Sequence, residues 1–300
     1  MVKSPLVSIL ICHLGHESFL KDAIESSLNQ AYSPIEIVCI NRHLNEQSQR
    51  VLADYGDRIS VVSQNSSSTS FVDIGLRESH GEIVCFLGSN DKFLPDKISK
   101  IVDVFKMHPA SQWCFHSLKL INHDSKTLLE LFHRQESQEF NATSVIEKRG
   151  RLPFVPPSFS GLCFRRSLLE QMTPLPQTYS LSVAEYALKL TAPALSQGFC
   201  LSENLAGRRV DPTLAYSPQI ERFRLDAAAL PTTAHWIRHR FPTLKKLANN
   251  LFARGMGAYW QMQSGETKQH DLIQTYLSAV PITERLEINS KAAYRYLLPS

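Results

Sequence analysis

Short, wholly apolar runs alternate with amphipathic stretches along the first part of the chain, and the two periods predict different elements. Leu6 to Cys12 reads as a buried strand. Phe19 to Leu28 reads as a helix, because Phe19, Leu20, Ala23, Ile24 and Leu28 recur at helical spacing, and Ser18 is placed to cap it. After a break at Tyr32-Ser33-Pro34, Ile35 to Ile40 supplies a second apolar strand that ends at Asn41-Arg42-His43. Glu46 to Tyr55 follows as a helix and Ile59 to Val62 as a strand. The Ser/Thr-rich segment Asn65 to Ser70 then leads into a short helix that ends near His80-Gly81. Ile83 to Leu87 is the next strand, apolar throughout and so covered on both faces. It stops at the turn formers Gly88, Ser89, Asn90 and Asp91, with Pro95 at a first helical position and Asp96 in the first turn. Strands and helices alternating at this pitch predict an α/β fold with a mostly parallel sheet flanked by helices. In such a sheet, ligands bind at the carboxyl ends of strands, where Cys12, Asn41 and Leu87 are expected to lie side by side.

The pattern then changes. Gln112 to Phe115, Ser117 to Asn122 and Thr127 to Phe132 read as three strands, and Glu136 to Pro157 reads as a mobile, substrate-facing loop without periodicity. Phe159 to Phe164 resumes a strand, Arg165-Arg166 opens a helix through Gln171, Val183 to Leu195 is helical, and Phe199 to Ser202 closes the α/β part. Beyond it the reading is helices: Ile220 to Leu230, Thr232 to Phe241, Leu244 to Gln263, Lys268 to Ala279 and Thr283 to Leu298. The expected organisation is therefore an α/β domain over residues 1–215 and an all-helical extension over 216–300. The third and fourth of these helices have the look of one antiparallel hairpin. An aromatic stripe containing Phe252, Tyr259 and Trp260 is expected to pack inward, a protein partner being the alternative use of the tail.

Composition narrows the class. Three hundred residues with 43% hydrophobic content can bury a full core. No apolar run reaches the roughly 18 to 20 residues of a membrane span, which predicts a cytoplasmic chain without a transmembrane segment. The six cysteines sit in apolar runs without CxxC spacing and read as buried reduced thiols. The net charge of +4 is concentrated after Ile220, where 11 Lys and Arg face 6 Asp and Glu. That surplus is too small and too dispersed to mark a nucleic-acid partner.

Three stretches, VSILICHLGHESFLKDAIESSLNQAYSPIEIVCIN, GLRESHGEIVCFLGSNDKFLPDKI and FSGLCFRRSLLEQM, together resemble glycosyltransferase family 2 over about residues 6–210. The order and spacing of the pieces carry the likeness. The resemblance implies a GT-A fold, inverting sugar transfer from a nucleotide sugar to an acceptor the sequence does not name, and a polar elbow that binds the donor diphosphate, usually through Mg or Mn. Carried over residue by residue, it places Cys12, His13, Asn41, Arg42, Ser89, Asn90 and Asp91 at the donor and Asp91 at any metal. Glu185 or Asp211 stands in as the general base.

The chain departs from the family pattern at its polar positions. Asn41 and Arg42 stand where the family has paired aspartates, and Gly88, Ser89, Asn90 and Asp91 stand where it reads Asp-Ser-Asp-Asp. Ser182 and Val183 fall where it has a Glu-Asp pair. A positioned base contributes about 10²- to 10⁴-fold in rate, and a metal several kcal/mol of charge stabilisation, so these exchanges bear directly on activity. Two readings follow. One is an active, divergent transferase. The other is a catalytically inactive family member that keeps the fold as a binding or assembly module. The exchange of acids for Asn41, Arg42, Gly88 and Asn90 also predicts nucleotide binding without strong dependence on a divalent ion, with Arg42 and Lys92 supplying positive field.

Overall fold

A computed structural model describes residues 4–13, 15, 17–42, 45–63, 69–130, 136–178, 180–210, 218–262 and 267–297. The chain divides into two compact units. The first comprises Met1–Asn141, Pro156–Tyr179 and Ser196–Pro212; the second comprises Ala142–Val155, Ser180–Leu195 and Thr213–Ser300.

The first unit is built on one mixed sheet flanked by helices. Its strands are β1 (Val7–His13), β2 (Ile35–Asn41), β3 (Ser60–Ser63), β4 (Ile83–Gly88), β5 (Lys92–Phe93), β6 (Trp113–Ile121), β7 (Thr127–Glu130), β8 (Gln138–Phe140), β9 (Leu162–Arg165) and β10 (Gly198–Arg209). The order is β3-β2-β1-β4-β9-β6-β10-β5, with β7 on β6 and β8 on β10. β3, β2, β1 and β4 run parallel, as the alternation of elements predicts. Every residue of β1 is buried, which is why that strand reads as an unbroken apolar run. Parallel order ends at β9, which pairs antiparallel with both β4 and β6. The helices of this unit are α1 (Glu17–Leu28), α2 (Glu46–Ala53), α3 (Phe71–Arg77), α4 (Lys97–Met107) and α6 (Arg166–Met172). Burying a side chain such as Ile9, Ile24, Leu87 or Ile101 contributes about 1.5 to 3 kcal/mol, and the core holds all four at zero exposure. All six cysteines are free and buried.

The amino ends of β1, β2 and β4 are tied together by Glu36. Its Oε1 accepts from the Ser8 hydroxyl at 2.6 Å and from the backbone N–H groups of His80 at 2.6 Å and Gly81 at 2.8 Å. Gly81 fits there because a Cβ would lie 2.5 Å from the Ser8 nitrogen. Burial pushes the Glu36 carboxyl up, but the bonds from Ser8, His80 and Gly81 outweigh it and hold the group below its ordinary 4.5.

Several expectations are corrected. The two strands read at Gln112–Phe115 and Ser117–Asn122 are the single strand β6, because His116 and Ser117 are themselves buried in the sheet and do not break it. β10 runs on to Arg209, past the expected end at Ser202, with register shifts against β6 that let its polar stretch continue the ladder. Phe159–Gly161 is a 3₁₀ turn, and only Leu162 onward is strand. α1 begins at Glu17, one residue before the expected cap Ser18. Pro95 and Asp96 precede α4, because the short strand β5 occupies the start of the connection. The segment read as a loop over Glu136–Pro157 contains β8 and the helix α5 (Thr143–Arg149). Ala142 and Ile146 are both buried, and Gly150 closes the helix at φ 64°, a left-handed position that suits glycine.

In the second unit, α5, α7 (Leu181–Leu195), α8 (Pro218–Arg240), α9 (Lys245–Met262), α10 (Thr267–Ser278) and α11 (Ile282–Leu297) share a core of Ile146, Leu190, Leu230, Leu247, Phe252 and Ile288. Asp226 anchors it, receiving Arg254 through two nitrogens at 2.6 and 2.8 Å and the Tyr186 hydroxyl at 2.9 Å. The two helices expected on either side of Pro231 are one, α8. An interior proline costs about 3 kcal/mol, and here it packs closely against Gly255 of α9, where a Cβ would lie 2.6 Å from Pro231 Cδ. α9 lies along α8 and α11, and α10 meets it through Tyr276, which stacks on Phe252 at 3.8 Å. The expected inward stripe is therefore divided. Phe252 is fully buried and Tyr259 is partly so, but Trp260 is 37% exposed, because successive helical positions are turned by about 100°. No helix among the described residues is long and apolar enough to cross a membrane.

Candidate functional site

The carboxyl ends of β1, β2 and β4 lie side by side, in register at His13 with Asn41 and Cys12 with Gly88. The elbow after β4 is fixed to β1 by the Ser89 N–H, which donates to the Cys12 carbonyl at 3.2 Å. On the other side of β1, the Arg42 N–H donates to the His13 carbonyl at 3.1 Å. The sheet thus brings Cys12, His13, Asn41, Arg42, Ser89, Asn90 and Asp91 to one edge.

Most of these side chains serve the fold. Cys12, His13, Asn41 and Ser89 are buried. Burial pushes the Cys12 thiol up to about 12, with Arg42 acting weakly against it, so Cys12 is inert and contributes its carbonyl. The Arg42 guanidinium donates to the Thr69 carbonyl at 3.1 Å and stands 5.6 Å from the centre of the Phe71 ring. Lys92 is half-buried on β5, paired through its backbone with Gly207.

Asp91 is the centre of the elbow. Its Oδ2 accepts from the Ser160 hydroxyl at 2.5 Å and its Oδ1 from the Arg209 backbone N–H at 3.0 Å. Ser160 lies in the 3₁₀ turn before β9 and also accepts from the Gly88 N–H at 3.1 Å. Beneath it, the fully buried Lys97 donates its Nζ to the Ser160 carbonyl at 2.9 Å and covers the Phe93 ring at 3.5 Å. Burial pulls this ammonium below its usual range, opposed by Cys163, Cys85, Cys114 and Asp91.

Arg209 completes the arrangement from the end of β10. Its Nε donates to the Asn90 carbonyl at 3.0 Å, one terminal nitrogen to the carbonyls of Asn122 at 2.6 Å and His123, and the other to Asp22 Oδ2 at 2.9 Å and Ser125 Oγ at 3.1 Å. The guanidinium lies 4.0 Å from the centre of the Phe19 ring, and the side chain is only 4% exposed. The Asn90 side-chain oxygen is buried without a hydrogen-bond donor among the described residues.

Sequence reasoning named neither Ser160 nor Arg209. The available signals were Ser160-Gly161 inside FSGLCFRR and the pair Arg208-Arg209, which ends two residues before Asp211. Of the proposed bases, Glu185 lies on α7 in the second unit, ion-paired with Lys189 one turn on. Asp211 lies outside the described residues.

The family resemblance implies a divalent cation at the elbow, and the residues present do not fit one. The donor set is one carboxylate, already accepting from Ser160 and Arg209, with a neutral amide oxygen and a guanidinium alongside. A divalent ion about 5 Å from a guanidinium meets a repulsion of roughly 7 kcal/mol at an effective dielectric of about 20. No group of three or more His, Cys, Asp or Glu among the described residues is arranged to hold a metal.

A parallel nucleotide-type half-sheet joined through an antiparallel strand to a second half, with a polar elbow at its carboxyl edge, defines a GT-A type of glycosyltransferase fold. Residues 8–172, more than half of the chain, match Glycosyl transferase family 2, and the chain belongs to that family. An uncharacterized glycosyltransferase of Nostoc sp. PCC 7120, alr2836, is 28% identical over 209 residues, covering 68% of this chain and 64% of its own. One of Rickettsia typhi, RT0329, is 28% identical over 127 residues, covering 42% and 40%. The chain thus spans less than two thirds of the length of these relatives. Among solved structures, residues 1–349 of S. aureus TarS, crystallised with UDP-GlcNAc, superpose with a TM-score of 0.62 at 13% identity, over 97% of this chain and 89% of that one. At that identity the likeness concerns the fold.

Proposed function

We propose that the chain transfers a glycosyl group from a nucleoside diphosphate sugar to an acceptor hydroxyl with inversion. In that step the acceptor oxygen bonds to the anomeric carbon, the bond from that carbon to the phosphate oxygen breaks, and the nucleoside diphosphate leaves. The acceptor proton passes to a carboxylate, for which Glu185 and Asp211 are the candidates. The observation that carries the reading is the elbow itself: a family-matched chain presents Ser89, Asn90 and Asp91 at the carboxyl edge of the sheet, next to the ends of β1 and β2. Ligands of open α/β sheets bind at such an edge. Asn41 and His13 then border the nucleoside, and Asn90 and Lys92 the diphosphate. TarS, which shares the fold, was solved with UDP-GlcNAc, so uridine nucleotides are the first probes.

The test is a thermal-shift and calorimetric screen of UDP- and GDP-sugars, followed by mass spectrometry for sugar transfer or donor hydrolysis. Saturable binding of one donor with release of its nucleoside diphosphate is the expected result. Binding without turnover would support the non-catalytic reading of the same site. Failure of every nucleotide and nucleotide sugar to bind would remove the transferase reading.

A further inference from the structure

We propose that Arg209 is the resident cation of the elbow, holding from within the chain the position in the charge balance that a divalent ion would otherwise take, so that donor binding here needs no metal. Arg209 reaches the elbow twice, through its backbone N–H to Asp91 Oδ1 at 3.0 Å and through Nε to the Asn90 carbonyl at 3.0 Å. The same guanidinium neutralises Asp22 at 2.9 Å. Its remaining donors go to the carbonyls of Asn122 and His123 and to Ser125 Oγ, so all three nitrogens are committed to fixed acceptors. A planar fork spread over five acceptors fixes backbone direction as well as charge, which a point charge does not do.

Arg209 is a positioning residue. At 4% exposure it does not itself reach a ligand, and it acts by fixing the Asn90 carbonyl and the Asp91 carboxylate. With Asp91 held by Arg209 and Ser160, Asp22 paired to the guanidinium, and Lys97 beneath Ser160, the two carboxylates of the elbow are already matched by two cations from the chain itself. Both cations act on a ligand only from behind the elbow backbone, and a further cation there would be repelled by them. The Asn90 side-chain oxygen, without a donor among the described residues, is an acceptor open to a ligand donor such as a sugar hydroxyl or ribose hydroxyl.

The test separates metal from nucleotide, because the nucleotide arm rests on the transferase reading and the metal arm does not. In the first arm Mn²⁺ alone is titrated into the full chain and followed by its paramagnetic resonance signal. The expected result is no binding tighter than about 1 mM. A stoichiometric Mn²⁺ site that disappears in Asp91→Asn would overturn the proposal whatever happens with nucleotides. In the second arm UDP is titrated with Mn²⁺ and then with chelator. Less than twofold change is expected, and a loss of tenfold or more on chelation overturns the proposal. If UDP fails to bind under both conditions, the transferase reading suffers while the metal arm still decides the role of Arg209. The third arm compares Arg209→Gln with Arg209→Lys. The glutamine variant keeps the backbone N–H to Asp91 but unpairs Asp22 and removes the guanidinium charge beside the elbow, so Mn²⁺ is expected to raise its melting midpoint by about 2 °C or more while leaving wild type and the lysine variant unmoved. A folded glutamine variant with unchanged UDP affinity and no response to Mn²⁺ would show that Arg209 is merely structural.

Discussion

The two ends of β1, β2 and β4 each carry a carboxylate that gathers hydrogen bonds across strands, and the comparison separates scaffold from function. At the amino ends, Glu36 accepts from Ser8, His80 and Gly81, all neutral donors, and the bonds do nothing beyond joining the strands. At the carboxyl ends, Asp91 accepts from Ser160 and Arg209, with a buried ammonium beneath and an acceptor on Asn90 that no described residue donates to. One end is closed and satisfied; the other is charged, braced and incomplete. The family scaffold is intact where it is only scaffold, and the exchanged acids fall at the end where a ligand would sit.

The strongest way to break this comparison is at Arg209. Arg209→Met is expected to lower stability by about 3 kcal/mol, since it strands Asp22 and the elbow carbonyls without their donor. A urea midpoint within error of wild type would show that the elbow does not depend on it. Glu36→Gln tests the closed end. Because the folded-state pKa of Glu36 lies below its ordinary 4.5, its contribution is present above that value and is lost as pH falls through the folded pKa. The expected loss at neutral pH is about 1 to 2 kcal/mol, with no change in nucleotide affinity, and the variant should show a flatter stability profile in acid. Equal stability of the two proteins from pH 7 down to 3, by chemical denaturation, would refute it.

Ser160→Ala sharpens the contrast with a smaller step. Removing the hydroxyl leaves the Gly88 N–H without its acceptor and Asp91 without one donor, for about 1 kcal/mol in stability and a fewfold weaker UDP affinity by calorimetry. The smallest effect is expected at Lys92→Ala. Stability should stay within about 0.5 kcal/mol of wild type, while UDP affinity falls by severalfold, the mark of a residue that meets a ligand and not the fold.

How much of this was legible follows from how local each signal is. β1, β2 and β4 are written as apolar runs because both of their faces are covered, so strand, elbow and edge were visible without coordinates. The partners of Asp91 were not, since Ser160 and Arg209 stand 69 and 118 positions away and meet it through the pairing of β9 with β4 and of β10 with β5. The polar stretch Ser202 to Asn204 concealed the length of β10, whose register shifts on β6 carry it through to Arg209. Pro231 broke the pattern of α8 without breaking the helix, because close packing at Gly255 outweighs one missing backbone donor. Ala142 and Ile146, one turn apart before Gly150, were a genuine helix signal within the segment read as loop.

Lys97 adds a consequence of a different kind. Its amine is enclosed by the Ser160 carbonyl and the Phe93 ring, so an acylating reagent can reach it only when the segment carrying Ser160 lifts away. The rate at which Lys97 is labelled, set against the surface lysines of the same chain, is therefore a clock for opening of the elbow. A ligand seated there would slow that clock at Lys97, and shield Lys92 directly, while lysines away from the elbow keep their rate.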